Sequence, residues 1–109
     1  MPNLLVRGIS LLKLRTISSS LVEELADICS CGTDNFTIDC LHTNSVYGGN
    51  EEESYPFVEV GWFDRGQAIR DRFAAAIASH LRQIEVEEAE VAFRVYREDS
   101  YYIDGKPCG

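Results

Sequence analysis

The chain has 109 residues, 45% of them hydrophobic, with a net charge of −8 and a sequence pI of about 4.6. That length is one domain's worth and that apolar share builds a small core. The acidic balance excludes nucleic acid and an anionic membrane surface as partners, since both require a basic face.

The charge is uneven. Residues 1–50 hold three Lys/Arg against five Asp/Glu, and residues 51–109 hold seven against thirteen. Much of the excess lies in Glu51-Glu52-Glu53 and between Glu85 and Glu90, which read as solvated loop charge. No apolar run approaches the ~20 residues of a membrane span. The start lacks the charged head and long apolar stretch of a signal peptide. The expected location is therefore cytoplasmic, with reduced thiols.

The first strand is expected from Asn3 to Ile9, behind Met1-Pro2. Initiator methionine is removed when the next residue is small, and proline qualifies. Removal would leave Pro2 with a secondary amine on a rigid ring. An α-amino group titrates near pH 8, and desolvation lowers that value. A nitrogen poised near neutrality suits a general base. The plain alternative is a proline that follows methionine and does nothing there.

Ser10 caps a first helix predicted over Leu11 to Ser30. Leu14, Ile17, Leu21, Leu25 and Ile28 recur at helical spacing, and Gly32 with Asp34-Asn35 ends it. A second strand is predicted from about Phe36 to Val46, where Phe36, Ile38 and Cys40 alternate with Thr37 and Asp39. Tyr47-Gly48-Gly49-Asn50 reads as a loop with room for a hairpin turn.

The four cysteines are Cys29, Cys31, Cys40 and Cys108. With His42 they invite a zinc reading, but Cys40 and His42 would lie about 13–20 Å along the strand from Cys31 at ~3.3 Å per residue. No metal and free thiols are expected, with Cys40 a small buried hydrophobe.

A third strand is predicted from Tyr55 or Pro56 to Phe63, rich in β-formers. Asp64-Arg65-Gly66 turns into a second helix, from about Gln67 to Ile84, on which Ile69, Phe73, Ile77 and Leu81 stand four apart. His80 reads as a structural histidine beside that stripe. A fourth strand covers about Glu90 to Arg97. The tail Ser100-Tyr101-Tyr102-Ile103-Asp104-Gly105 holds two aromatics and a turn.

The order is strand–helix–strand twice, with Pro2 and Pro56 opening the equivalent strands 54 positions apart. The expected fold class is α+β. Each βαβ half has parallel strands, and the two halves form a four-stranded sheet with two helices on one face. Glu59, Gly61, Arg94 and Tyr96 then share the other face with Phe57 and Phe63. Exposed aromatics there point to a second subunit.

The proline-led strand, the duplicated βαβ units and the short tail resemble the tautomerase (macrophage migration inhibitory factor-like) superfamily. Tyr55-Pro56-Phe57-Val58-Glu59-Val60-Gly61-Trp62-Phe63-Asp64-Arg65-Gly66-Gln67 and Tyr101-Tyr102-Ile103-Asp104-Gly105 look like an uncharacterised bacterial family of that superfamily. The resemblance implies a single tautomerase-like domain over residues 1–109. It implies a mixed sheet, with strand 3 antiparallel to strand 1, and a homotrimer. It implies Pro2 as the catalytic general base on a small keto or unsaturated carboxylic acid, with no cofactor. Arg65, Arg94, Trp62, Phe63 and Tyr102 are the implied substrate-binding residues.

Two departures stand out. The immune-factor members carry a lysine at about Gly32, and an aromatic and an amide where Ala92 and Arg94 fall. Arg94 has a second reading as a partner of Glu59 across the sheet. Arg65 has one as a solvated turn residue, and Tyr101 and Tyr102 as interface packing. Fold does not dictate chemistry. A non-catalytic trimeric binding or structural protein is therefore the alternative to the enzyme.

Overall fold

Alternation organises the centre of the molecule. Strand β1, Asn3–Arg7, turns Leu4 and Val6 inward and leaves Asn3, Leu5 and Arg7 half-buried on the other side. The computed structural model describes residues 2–52 and 54–109, without the side chains of residues 50–52.

Helix α1, Leu11–Cys29, starts where the Ser10 hydroxyl accepts a hydrogen bond from the Lys13 amide at 3.2 Å. Its buried stripe holds Leu14, Ile17, Leu21, Leu25 and Ile28, as the spacing predicts. It ends one residue short of the predicted Ser30, which adopts the left-handed conformation and closes the helix. That turn sets the Cα atoms of Cys29 and Cys31 5.5 Å apart, within bridging reach, and the two are joined by a disulfide. The expectation of free thiols is corrected for this pair. Cys40 and Cys108 are free.

Strand β2, Thr37–Cys40, is shorter than the predicted second strand. It pairs in parallel with β1, from Asn3↔Thr37 to Val6↔Cys40. The last bond runs from the Leu41 amide to the Val6 carbonyl at 2.7 Å, and beyond it β1 offers no partner. The chain leaves the sheet and folds on itself as a hairpin of β3, Ser45–Tyr47, and β4, Asn50–Glu52. Gly48 and Gly49 both take positive φ, 60° and 83°, the conformation a two-residue hairpin turn requires.

Strand β5, Phe57–Trp62, runs antiparallel to β1, and β6, Glu90–Val95, runs parallel to β5. Helix α2, Gln67–Arg82, joins them and buries Phe73, Ala76, Ile77, His80 and Leu81. The sheet order is β2-β1-β5-β6. Both βαβ halves therefore stand as read from the sequence, and the mixed sheet as the resemblance implies. The core lies between sheet and helices, around Leu4, Val6, Leu25, Val58, Val60, Trp62, Phe73 and Ile77. His80 is buried in it and bridges the helices through Nε2 to the Glu24 carboxylate at 2.8 Å.

The duplication is visible in the hydrogen bonds. The Pro2 carbonyl accepts from the Thr37 amide at 3.3 Å, and the Pro56 carbonyl accepts from the Glu90 amide at 3.1 Å. Past β6, a small hairpin pairs β7, Tyr102–Ile103, with β8, Lys106–Pro107.

Candidate functional site

Register decides what surrounds Pro2. Asn3 lies opposite Gly61 on β5 and Thr37 on β2, so Pro2 sits at the sheet end where β1 and β2 begin and β5 and β6 finish. The Pro2 ring is wholly buried. Met1 lies outside the described residues.

Of the predicted site residues, Trp62 is nearest in register and shares the inward face with the Pro2 ring. With Val58 and Val60 it belongs to the inward-facing set of β5, and it is fully buried. Its ring packs on Phe73 at 5.0 Å and Phe93 at 4.9 Å between centroids. Its indole Nε1 is buried without a hydrogen-bond partner. Trp62 is thus an anchor of the core beneath the Pro2 end.

Phe63, one residue on, is half-buried and meets Tyr101 edge-on, with centroids 5.1 Å apart. Tyr101 in turn meets Tyr96 at 5.3 Å. Arg65 is exposed in the turn after β5 and forms no ion pair among the described residues. Its neighbour Asp64 holds the turn by accepting from the Gly66 amide at 3.1 Å and pairing with Arg70 at 2.5 Å.

Arg94 is Gly61's register partner, in the same lateral row as Asn3 and two strands from it. Its guanidinium grips Glu59 with two contacts, Nε to Oε1 at 3.0 Å and Nη2 to Oε2 at 3.3 Å. Tyr102 is well exposed on the terminal hairpin.

The row also contains residues outside the sequence-derived set. The Thr37 hydroxyl donates to the Asn3 carboxamide oxygen at 3.0 Å. Tyr96 continues β6, its amide bonded to the Trp62 carbonyl at 2.8 Å. The signal for it in the sequence is Gly61. A glycine inside a run of β-formers marks a place where another group approaches closely.

At the opposite end of β1 and β2, a recess of about 500 Å³ is lined by Gly8, Ser10, Cys40, His42, Thr43 and Ser54 among others. It is remote from Pro2 by the length of β1. Among the described residues, no group of three or more His, Cys, Asp or Glu stands close enough to hold a metal ion. No described helix is long and apolar enough to cross a membrane.

The chain belongs to the family described as "Domain of unknown function (DUF1904)", whose model matches residues 1–107. It is similar to the solved structure of a DUF1904 domain from Sebaldella termitidis ATCC 33386: 34% identity, TM-score 0.88, covering 96% of this chain and 97% of that one. It has the fold of a fused 4-OT solved as an asymmetric trimer, at 14% identity and a TM-score of 0.75, covering 97% and 95%. The macrophage migration inhibitory factor-like protein of Entamoeba histolytica shares that fold too, at 14% identity and a TM-score of 0.61, covering 97% of each chain. No curated protein matches the sequence.

Proposed function

We propose that this protein is a tautomerase-like enzyme whose Pro2, freed by loss of Met1, acts as general base on a small keto or unsaturated carboxylic acid. The observation that carries this reading is the setting of Pro2. Its ring is fully buried, its carbonyl is anchored by the Thr37 amide, and it stands at the sheet end that Phe63, Tyr96 and Tyr101 flank. In protein without Met1, burial of this kind would disfavour an ammonium ion at Pro2. Arg65, exposed and unpaired among the described residues, is the cation nearest in sequence to strand β5's end and would hold the carboxylate. A guanidinium offers a planar fork to that group.

Assembly belongs to the same reading. Leu5, Phe57 and Arg7 lie on the face the helices leave bare, and a homotrimer would cover it; a fused 4-OT of the same fold is solved as a trimer. So does a cytoplasmic location, which suits the exposed free thiol of Cys108.

The second reading, a non-catalytic trimeric binding or structural protein, is favoured by one observation. Arg94 is already engaged by both oxygens of Glu59, which withdraws a cation from substrate duty.

Enol–keto conversion of arylpyruvates and unsaturated diacids separates the two. Protein lacking Met1 should turn over; protein with Met1 retained has an amide nitrogen at Pro2 and should lose the 10²–10⁴-fold that general base catalysis typically supplies. Pro2→Ala keeps a primary amine and should fall between them. Equal rates for all three, or an inert Met1-free protein across the panel, would give the binding-protein reading precedence.

A further inference from the structure

The end of helix α1 holds a pair of sulfurs that the fold as a whole does not need. Cys29 and Cys31 are bridged across a single residue, Ser30. A bridge that closes so short a loop takes little freedom from the unfolded chain, because that gain grows with loop length. Nor does it join distant elements, since both cysteines belong to one helix end. Its effect is local. The Ser30 amide bonds the Asp27 carbonyl at 3.3 Å, and the Cys31 amide bonds the Ala26 carbonyl at 3.0 Å. Those two bonds make a Schellman cap. Its left-handed place normally goes to glycine; here Ser30 takes it, at φ 53° and ψ 46°. The sulfur bridge spans that disfavoured residue.

The two sulfurs are not equivalent. Cys29 is 8% exposed and packs in the core, whereas Cys31 is half-buried at its edge. Exchange begins with attack on one sulfur, and access decides which one. Cys29 Sγ lies 3.7 Å from the Ala26 carbonyl oxygen, so a thiol released there has an acceptor in reach.

We infer that Cys29–Cys31 is a reversible redox site, entered at Cys31 by a low-molecular-weight thiol of the glutathione class, with Cys29 as the resolving cysteine. The incoming thiolate attacks Cys31 Sγ. A new S–S bond forms there, the Cys29–Cys31 bond breaks, and its electron pair leaves on Cys29. Cys29 takes a proton from water and donates it in a hydrogen bond to the Ala26 carbonyl. A second small thiolate attacks the first one's sulfur and releases Cys31, which is protonated in turn. The protein pair has gained two electrons and two protons, and the two small thiols have become their disulfide. The same steps run backward with that disulfide as oxidant. Reduction leaves the cap to its two hydrogen bonds, so the last turn of α1 opens more readily. A reducing compartment agrees with this assignment, because disulfides found there are usually transient and redox-sensing. The site owes nothing to the chemistry proposed for Pro2.

The test uses the full chain carrying Cys108→Ser, equilibrated in glutathione buffers of graded potential, acid-quenched, alkylated and mapped by peptide mass. The pair should pass from bridged to fully reduced within that range. With Cys29→Ser added, glutathione should load on Cys31 at least ~10-fold faster than it loads on Cys29 in the Cys31→Ser protein. With both cysteines present, hydrogen exchange at the Ser30 and Cys31 amides should quicken about tenfold on reduction. Ser30→Gly suits the left-handed place and should hold that change under ~3-fold. A pair that stays bridged, or stays reduced, in every buffer would overturn the redox site; that titration needs neither single-cysteine variant to fold. Equal loading of the two variants would overturn entry at Cys31. Exchange that does not respond to reduction would overturn the link to the helix cap.

Discussion

The two faces of one sheet do different work, although the same four strands supply both. On the helix side, Leu4, Val6, Val58, Val60 and Trp62 make a dry layer in which each side chain is held by neighbours from both helices and sheet. On the bare side, contacts are lateral and paired. Arg7 lies over Phe57 at 4.8 Å, Arg94 clasps Glu59, and Tyr96 rests on Gly61. The difference follows from solvent. A layer that excludes water gains from area, about 25 cal/mol per Å². A layer open to water gains little from its ion pairs and keeps side chains available. Stability should therefore be concentrated on one face, and assembly on the other.

Three substitutions probe that division. Trp62→Ala empties a fully buried site between Phe73 and Phe93 and should cost about 3–5 kcal/mol in denaturant unfolding. A loss under 1 kcal/mol would show that the covered face does not carry the fold. Phe57→Asp places an unpaired charge on the bare face beside Leu5. If the proposed trimer uses this face, the mass in solution should shift from three times 12.2 kDa toward one chain, with a modest change in the monomer's own stability. An unchanged mass would locate the subunit contact elsewhere. The smallest effect is expected for Arg94→Gln. Its side chain is 62% exposed, so loss of the Glu59 pair should cost under ~1 kcal/mol in the same unfolding assay. A larger loss would mean that the bare face also holds the fold together.

Much of this was legible in the residues. The four-residue spacing of Ile69, Phe73, Ile77 and Leu81 marks a helix facing a core, and the second helix follows it to Arg82. The twofold strand–helix–strand order leads to two parallel βαβ halves, and the resemblance to their antiparallel join in the observed sheet. Two things were not legible. Strand β2 stops at Cys40 because β1 runs out of partners, which is a property of register and not of local β-propensity. The site residues were chosen by which end of β5 they occupy. Parity within the strand then assigned Trp62 to the core and left Phe63 beside Tyr101. The contact of Tyr96 with Gly61, 35 residues apart in sequence, shows itself only when β6 is aligned on β5.

The internal duplication has a stoichiometric consequence. Pro2 and Pro56 occupy matching positions, each lending its carbonyl to the strand that completes its half. By shape alone the chain offers two equivalent corners. Chemically they can never be equal. The Pro56 nitrogen is acylated by Tyr55 and carries no lone pair for a proton, whereas a chain-terminal proline nitrogen does. A label directed at a basic proline nitrogen therefore saturates at no more than one equivalent per chain, and only in protein from which Met1 has been removed. The pseudo-symmetry of the fold stops at the covalent backbone.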